Sequence, residues 1–181
     1  RYAILLGEPD RADEMIRRLT ALLRYSTDTS RSMVPLGNDS EKLKDYLEII
    51  RLRQDGRFTY TVQVDPAVQD VLIPKLWVQP VVENSVKYGS LRKQTLHVDL
   101  TARMEDGFLL LTVEDNGTGF EPQRLKEVQD SLTDPKKGTR QSGLQSLARR
   151  LVLLYGKESS VTIESEYMVH TRVTLRMRRG G

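Results

Sequence analysis

Cysteine is absent from the 181 residues, so neither a disulfide frame nor a thiolate zinc site can form, a composition that suits a reducing compartment. Histidine is almost absent. His97 and His170 are the only two; both fall in stretches that read as strands, and neither has a nucleophile or metal-ligand spacing. No apolar run approaches the roughly 20 residues needed to cross a bilayer; Phe108 to Val113 and Leu151 to Tyr155 fall far short. No signal-peptide pattern is read at the start. Three common chemical signatures are also missing: Gly-x-x-x-x-Gly-Lys-Ser/Thr, His-Glu-x-x-His and Gly-x-Ser-x-Gly. Their absence removes the phosphate-loop NTPase, zinc-protease and serine-hydrolase readings. Charge of one sign is lacking too: 28 basic residues face 25 acidic ones, interspersed, for a net +3, so no nucleic-acid partner is expected.

What is present suffices for one domain of ordinary size plus an appendage. Arg1 is followed by Tyr2-Ala3-Ile4-Leu5-Leu6, which reads as helix, so the chain is expected to be a piece of something longer. Residues 10 to 26 place Met15, Ile16, Leu19, Leu22 and Leu23 at helical spacing, with Asp13 and Glu14 near one end and Arg24 near the other, an amphipathic helix with dipole-matched charges. Thr27 to Ser32 is polar and rich in hydroxyls, the best candidate for a linker, so the expected division is 1–32 and 33–181. The next helix is expected to start at Asn38, capped by its side chain with Glu41 reaching back, to bury Leu43, Tyr46, Leu47 and Ile50, and to stop at Asp55-Gly56.

Arg57 to Val64 alternates as a half-buried strand. Pro74 and Pro80 bracket the approach to a helix ending at Gly89, with Pro80 either in its first turn or kinking it. Gln94 to Met104 and Phe108 to Glu114 flank Asp106-Gly107, a strong hairpin signal. Glu121 to Asp130 reads as a short helix. Ser131 to Ser142, which holds Pro and Gly but no apolar period, reads as a mobile lid that includes Gly138. Leu144, Leu147, Ala148 and Leu151 give a last helix its stripe, with Gly156 as cap, before strands at Ser160 to Glu166 and Val169 to Met177. This order predicts an α+β two-layer sandwich: a mixed, mainly antiparallel sheet covered on one side by helices, with an N-terminal helical segment. Trp77 reads as core.

Two segments carry candidate chemistry. In Glu83-Asn84-Ser85-Val86-Lys87-Tyr88-Gly89, helical spacing sets Glu83, Asn84 and Lys87 on one polar face while Val81, Val82, Ser85 and Val86 turn inward. That face can hold a metal and phosphates. In Asp115-Asn116-Gly117-Thr118-Gly119-Phe120, a carboxylate fixed at a strand end can read a base edge, and the two glycines permit backbone conformations closed to other residues. Asp-Asn-Gly alone is as well read as a tight turn. Asn84 offers a neutral oxygen to Mg2+. Lys87 either meets a phosphate as a point charge or pairs with Glu83 one turn away.

This pairing resembles the N box and first glycine box of the GHKL ATPases, the superfamily of gyrase, the ninety-kilodalton heat-shock chaperones, MutL and sensor histidine kinases. Leu19 to Ser26 (LTALLRYS), Tyr46 to Arg53 (YLEIIRLR) and Ile73 to Gly89 (IPKLWVQPVVENSVKYG) narrow the likeness to the LytS/YesM-like sensor histidine kinases. The resemblance implies the Bergerat ATP-binding fold and Mg-ATP. It implies Asp115 as the adenine-reading carboxylate, Asn84 as metal ligand, Glu83 as metal or base candidate, and Lys87 at phosphate. It also carries Tyr88, Gly117, Gly119, Phe120, Gly143, Leu144 and Thr171 to the nucleotide, Thr171 supporting Asp115 through water. In the second glycine box the chain departs from the family twice, at Gln141 and Ser146, and the Gly that precedes the matching Thr is here His170.

The implied protein is a cytoplasmic catalytic region of an integral membrane sensor, homodimeric at full length, passing phosphate through a histidine on its own dimerisation region to a response regulator. The family places that histidine in a Pro-His-Phe segment that does not occur in this sequence, so 1–32 is expected to be the later part of the dimerisation region, and this chain is not expected to phosphorylate itself. Two other readings stay open: a nucleotide- or partner-binding module without phosphotransfer, and a GHKL hydrolase, against which the LLRYS and YLEIIRLR stretches argue.

Overall fold

The computed structural model describes residues 9–89, 95–133 and 143–178. The expectations for Tyr2 to Leu6, for most of the lid with Gly138, and for Gln141 and Ser142 fall outside them. Helix α1 (Pro9–Thr27) is followed by β1 (Met33–Pro35), α2 (Leu36–Gln54), β2 (Phe58–Val64), a 3-10 turn (Pro66–Val68) and β3 (Leu72–Pro74). Then come α3 (Gln79–Gly89), β4 (Leu96–Glu105), β5 (Phe108–Asp115), α4 (Pro122–Thr133), α5 (Gly143–Tyr155), β6 (Ser160–Glu166) and β7 (His170–Arg178).

A five-stranded sheet in the order β2-β4-β5-β7-β6 carries the helices, with β2 parallel to β4 and every other pair antiparallel. Period-2 burial explains the layers. Leu96, Val98, Leu100 and Ala102 on β4, Leu109, Leu111 and Val113 on β5, and Val173, Leu175 and Met177 on β7 all turn to one buried face. There they meet Leu43, Leu47 and Ile50 of α2, Val81, Val82 and Val86 of α3, and Leu144, Leu147 and Leu151 of α5 in one core. Trp77 is in that core, stacked on Tyr155 with centroids 5.3 Å apart. The expected hairpin joins β4 to β5: Glu105 pairs with Phe108 across Asp106 (φ 50°) and Gly107 (φ 80°), two positive angles whose twist matches that of the flanking strands.

The structure departs from the sequence reading at the start of α2 and adds two features that it did not contain. Helix α2 starts at Leu36, without a side-chain cap. Its first amides are held instead by backbone, Leu36 N donating to Val71 O at 2.9 Å and Gly37 N to Gln69 O at 2.8 Å, which leaves Asn38 no orphan amide to cap. Glu41 pairs with Lys44 rather than reaching back. The short antiparallel ribbon β1–β3, with Val34 opposite Ile73, gave no sequence signal of its own. On α1 the apolar stripe is wider than its partner: Ala12 and Leu22 are buried, whereas Ile16, Leu19 and Leu23 are 57, 48 and 55% exposed. Helix α1 packs on α2, where Arg18 bridges Glu14 of its own helix (2.9 Å) and Asp45 of α2 (2.8 Å).

Leu47 is fully buried beneath the sheet. Leu47→Ala is expected to lower the unfolding free energy by about 2–5 kcal/mol, read from the urea midpoint at unchanged slope.

Candidate nucleotide site

Helix α3 is amphipathic in the expected sense: Val81, Val82, Ser85, Val86 and Gly89 are buried, Asn84 is half-buried, and Glu83 and Lys87 face solvent. Pro80 sits in its first turn, and Val78 O takes the amides of Val81 and Val82 at 3.0 and 3.2 Å. At the far end the helix meets the loop after β5. A Cβ on Gly117 would lie 2.4 Å from Gly89 Cα and 2.7 Å from Asp115 Oδ1, so the two backbones pass with no room for a side chain. Thr118 Oγ1 then donates to Tyr88 O at 3.1 Å. Gly119 (φ 60°) runs against the β6–β7 turn, where a Cβ would stand 2.2 Å from Glu166 O, and Met168 N donates to Thr118 O at 2.7 Å.

Asp115 extends the inward series of β5 by one position, a carboxylate where Leu109, Leu111 and Val113 set the pattern, and it is 5% exposed. Burial pushes its pKa up, opposed by hydrogen bonds from the Ser85 side chain and the Gly117 amide and by the nearby His170. The Gly117 bond to Oδ1 is 3.0 Å. A carboxylate holds about four lone-pair sites, so acceptor capacity remains for a ligand donor. Thr171 is opposite Asp115 in register. It touches Ser165 Oγ at 3.3 Å, and Ser165 in turn accepts the Phe120 amide at 2.9 Å.

These groups surround a cleft of about 400 Å³, part of it open to solvent, between α3, the β5 end, Leu144 of α5, and Ile163, Thr171 and Val173 of the sheet. Its walls are apolar and its few polar groups converge, the usual make-up of a small-molecule site. Of the residues singled out in the sequence, Asn84, Tyr88, Asp115, Gly119, Phe120, Leu144 and Thr171 line this cleft, with Gly117 packed against Asp115. Glu83 and Lys87 do not line it. Gln79 Nε2 donates to Glu83 at 2.7 Å; the Tyr46 hydroxyl is pushed up to about 12, first by burial and then by the charge of Glu83. Lys87 Nζ sits 5.0 Å from the Tyr88 ring centre, and no ion pair joins it to Glu83 among the described residues. Gly143 begins α5, and a Cβ there would meet nothing within 4 Å among the described residues. Ser146 is exposed, while Gln145 is buried, its Nε2 donating to Ser131 O at 3.3 Å.

Sequence reasoning assigned Ser85 to the core and missed its bond to Asp115. The signal was available: a hydroxyl on the buried face of a helix needs a partner. Asn116 proves structural, since its Oδ1 takes His97 N at 2.7 Å and its Nδ2 donates to Thr95 O at 3.2 Å, which extends the β4 edge. His97 bonds Thr59 and lies 3.2 Å from Asp99, an ordinary sheet residue as expected.

The family described as histidine kinase-, DNA gyrase B- and HSP90-like ATPase matches residues 69–180, which include α3, the whole cleft and the strands beneath it. The chain belongs to that family. The histidine kinase family matches residues 1–58. Sensor protein LytS of Staphylococcus haemolyticus (strain JCSC1435) is 30% identical over 90% of this chain and 28% of its own length. Sensor histidine kinase YesM of Bacillus subtilis (strain 168) is 30% identical over 90% of this chain and 27% of its length. The chain thus spans a little over a quarter of these relatives. Among solved structures, the histidine kinase domain of the Erythrobacter litoralis blue-light activated histidine kinase superposes with a TM-score of 0.56 at 20% identity, over 97% of this chain and 83% of that one. The catalytic domain of histidine kinase ThkA in a nucleotide-free form gives 0.60 at 10% identity, over 81 and 95%. The α+β sandwich is therefore the fold of the histidine kinase ATPase domains.

Two outcomes test the site's geometry. Gly119→Ala combines a positive φ with a backbone clash and is expected to cost about 1–3 kcal/mol, read by thermal melting. Because the folded-state pKa of Asp115 is raised, its stabilising contribution is full below the ordinary value of 3.8 and is lost as pH rises through the folded value. Asp115→Asn is accordingly expected to melt above the parent at neutral pH, with the gap closing as pH falls toward 3.8. A gap that widened on acidification would show that the carboxylate is not held in a desolvated site.

Proposed function

We propose that these residues form the ATP-binding catalytic region of a two-component sensor histidine kinase, with 33–181 as the catalytic unit and 1–32 as the later part of a dimerisation and phosphoacceptor region. The single observation that carries the reading is the buried carboxylate of Asp115 at the inward end of β5, with spare acceptor capacity facing an apolar cleft. Such a group accepts from the exocyclic amine of adenine and repels guanine, which presents a carbonyl there. Thr171, its partner in register, is suited to hold a water against it. Gly117 and Gly119 let the chain pass close to the purine, and Tyr88, Phe120 and Leu144 supply contact area.

Asn84 is the proposed Mg2+ ligand. A hard cation of this kind keeps several waters and needs only one or two protein oxygens besides those of the phosphates. Glu83, on the solvent face of the same helix, would orient metal-bound water or act as base. Gly143, the first residue of α5, would present the helix N-terminus to phosphate, and Lys87 would reach phosphate charge from the solvent face of α3. Bound Mg-ATP supplies the γ-phosphoryl group, whose bond to the β-phosphate oxygen breaks as a bond to an imidazole nitrogen outside this chain forms. The protein contributes position and charge neutralisation. A response regulator would take the phosphoryl group onward, and the full-length protein would act as a homodimer with this region in the cytoplasm.

Calorimetric titration with a non-hydrolysable ATP analogue and Mg2+ tests the reading, beside the matching GTP analogue and Asp115→Asn. Saturable, adenine-selective binding is expected, weakened roughly a hundredfold by the substitution, the scale of a lost charged hydrogen bond in a dry site. A folded parent chain that takes up no analogue at millimolar concentration overturns it.

A further inference from the structure

A second buried carboxylate lies away from the cleft, at the other end of α3. Asp39, in the first turn of α2, is 3% exposed, and a carboxylate so placed requires partners. Its Oδ1 has two, the Tyr25 hydroxyl and the Leu76 amide, each donating at 2.8 Å. Leu76 holds a φ of 54°, a left-handed conformation that a branched side chain keeps only where its surroundings impose it. Lys75, one residue earlier, reaches the end of α1: its Nζ donates to Asp28 O at 2.8 Å and to Asp28 Oδ2 at 3.2 Å, and lies 4.8 Å over the Tyr25 ring. Between Leu76 and α3 stand only Trp77, locked in the core, and Val78, whose carbonyl takes the first amides of the helix. The backbone direction at Leu76 therefore sets the line of α3, and with it Asn84 and Ser85.

We infer that Tyr25 and Asp39 are positioning residues for the cleft: α1, seated on α2, supplies the hydroxyl that completes the Asp39 site, Asp39 holds Leu76 left-handed, and Leu76 fixes how α3 presents Asn84 and Ser85. Moving the end of α1 then changes the cleft without any residue of α1 touching it. The consequence for nucleotide affinity rests on the function proposed above; the consequence for geometry does not.

Amide hydrogen exchange on the whole 181-residue chain, without nucleotide, separates the two. Tyr25→Phe keeps the ring beneath Lys75 and removes only the hydroxyl. It is expected to speed exchange at Leu76 about tenfold, the scale of one hydrogen bond to a charged group, and to speed exchange at Gly117, whose amide is bound to Asp115, while the Leu109 to Val113 amides of β5 keep their protection. Asp39→Ala is expected to do more, and Asp39→Asn, which retains an acceptor for Leu76, to restore most of it. The ATP analogue should bind several-fold more weakly to Tyr25→Phe. Uniform loss of protection, including β5, would mean a merely structural role and overturn the inference, as would faster exchange at Leu76 with Gly117 unmoved. A parent chain that binds no analogue sinks the nucleotide reading, while the exchange pattern still decides the positioning.

Discussion

The site depends on one constraint, a carboxylate on the inward face of the sheet. Asp115 occupies the position at which the β5 alternation calls for another aliphatic residue, and a charge placed there loses most of its hydration. Ser85 from α3 and the Gly117 amide compensate in part. Each of these partners constrains another element. For Ser85 to reach Asp115, α3 must lie across the end of β5; for the Gly117 amide to reach it, the chain must turn back at once beneath the end of α3. The glycine-on-glycine contact of Gly89 and Gly117 follows from that geometry, as does the Thr118 bond to the Tyr88 carbonyl in the last turn of the helix.

The β6–β7 turn closes the other side. Gly119 can run against Glu166 only without a side chain, and Met168 accepts a left-handed φ of 66° to present its amide to Thr118. Loop geometry is thus set by three separate elements, α3, β5 and the β6–β7 turn, rather than by the loop's own sequence. This explains how a stretch of small and polar residues can be held firmly enough to form one wall of a binding cleft.

Much of this was legible in the sequence, and the reasons are local. Asp106-Gly107 between two strand-like stretches signalled a two-residue hairpin, and the apolar run of β5 and the inward face of α3 followed from which residues are aliphatic. Asp115 stood out as a carboxylate at a strand end with two glycines close behind it. The start of α2 was not legible: the groups that satisfy its first amides are carbonyls of Gln69 and Val71, more than thirty residues away in sequence, so the local capping pattern at Asn38 misled. The exposed half of the α1 stripe was hidden for a related reason. Periodicity reports that a face is apolar, not what covers it, and here α2 covers only Ala12, Leu22 and their flanks. Glu83 and Lys87 were grouped with Asn84 by helical spacing, yet around the helix Glu83 lies about 100° and Lys87 about 60° to the same side of Asn84, enough to leave Asn84 at the cleft and the other two in solvent.

Helix α3 is held by a buried carboxylate at each end, and the two are chemically alike. Asp39 receives the Leu76 amide where the chain approaches the helix, Asp115 lies beneath its last turn, and burial raises the pKa of both. They differ in what completes them. The Asp39 oxygen is filled from within the chain by a hydroxyl on α1, whereas Asp115 keeps acceptor capacity directed at an open cleft. One carboxylate is thus the proposed structural joint and the other the proposed recognition group, although burial and charge are nearly the same. The distinction lies in what each carboxylate faces. Each takes two internal donors, but Asp39 sits where α1 and the Leu76 segment meet, whereas Asp115 lines the cleft at the far end of α3, where the ligand is expected.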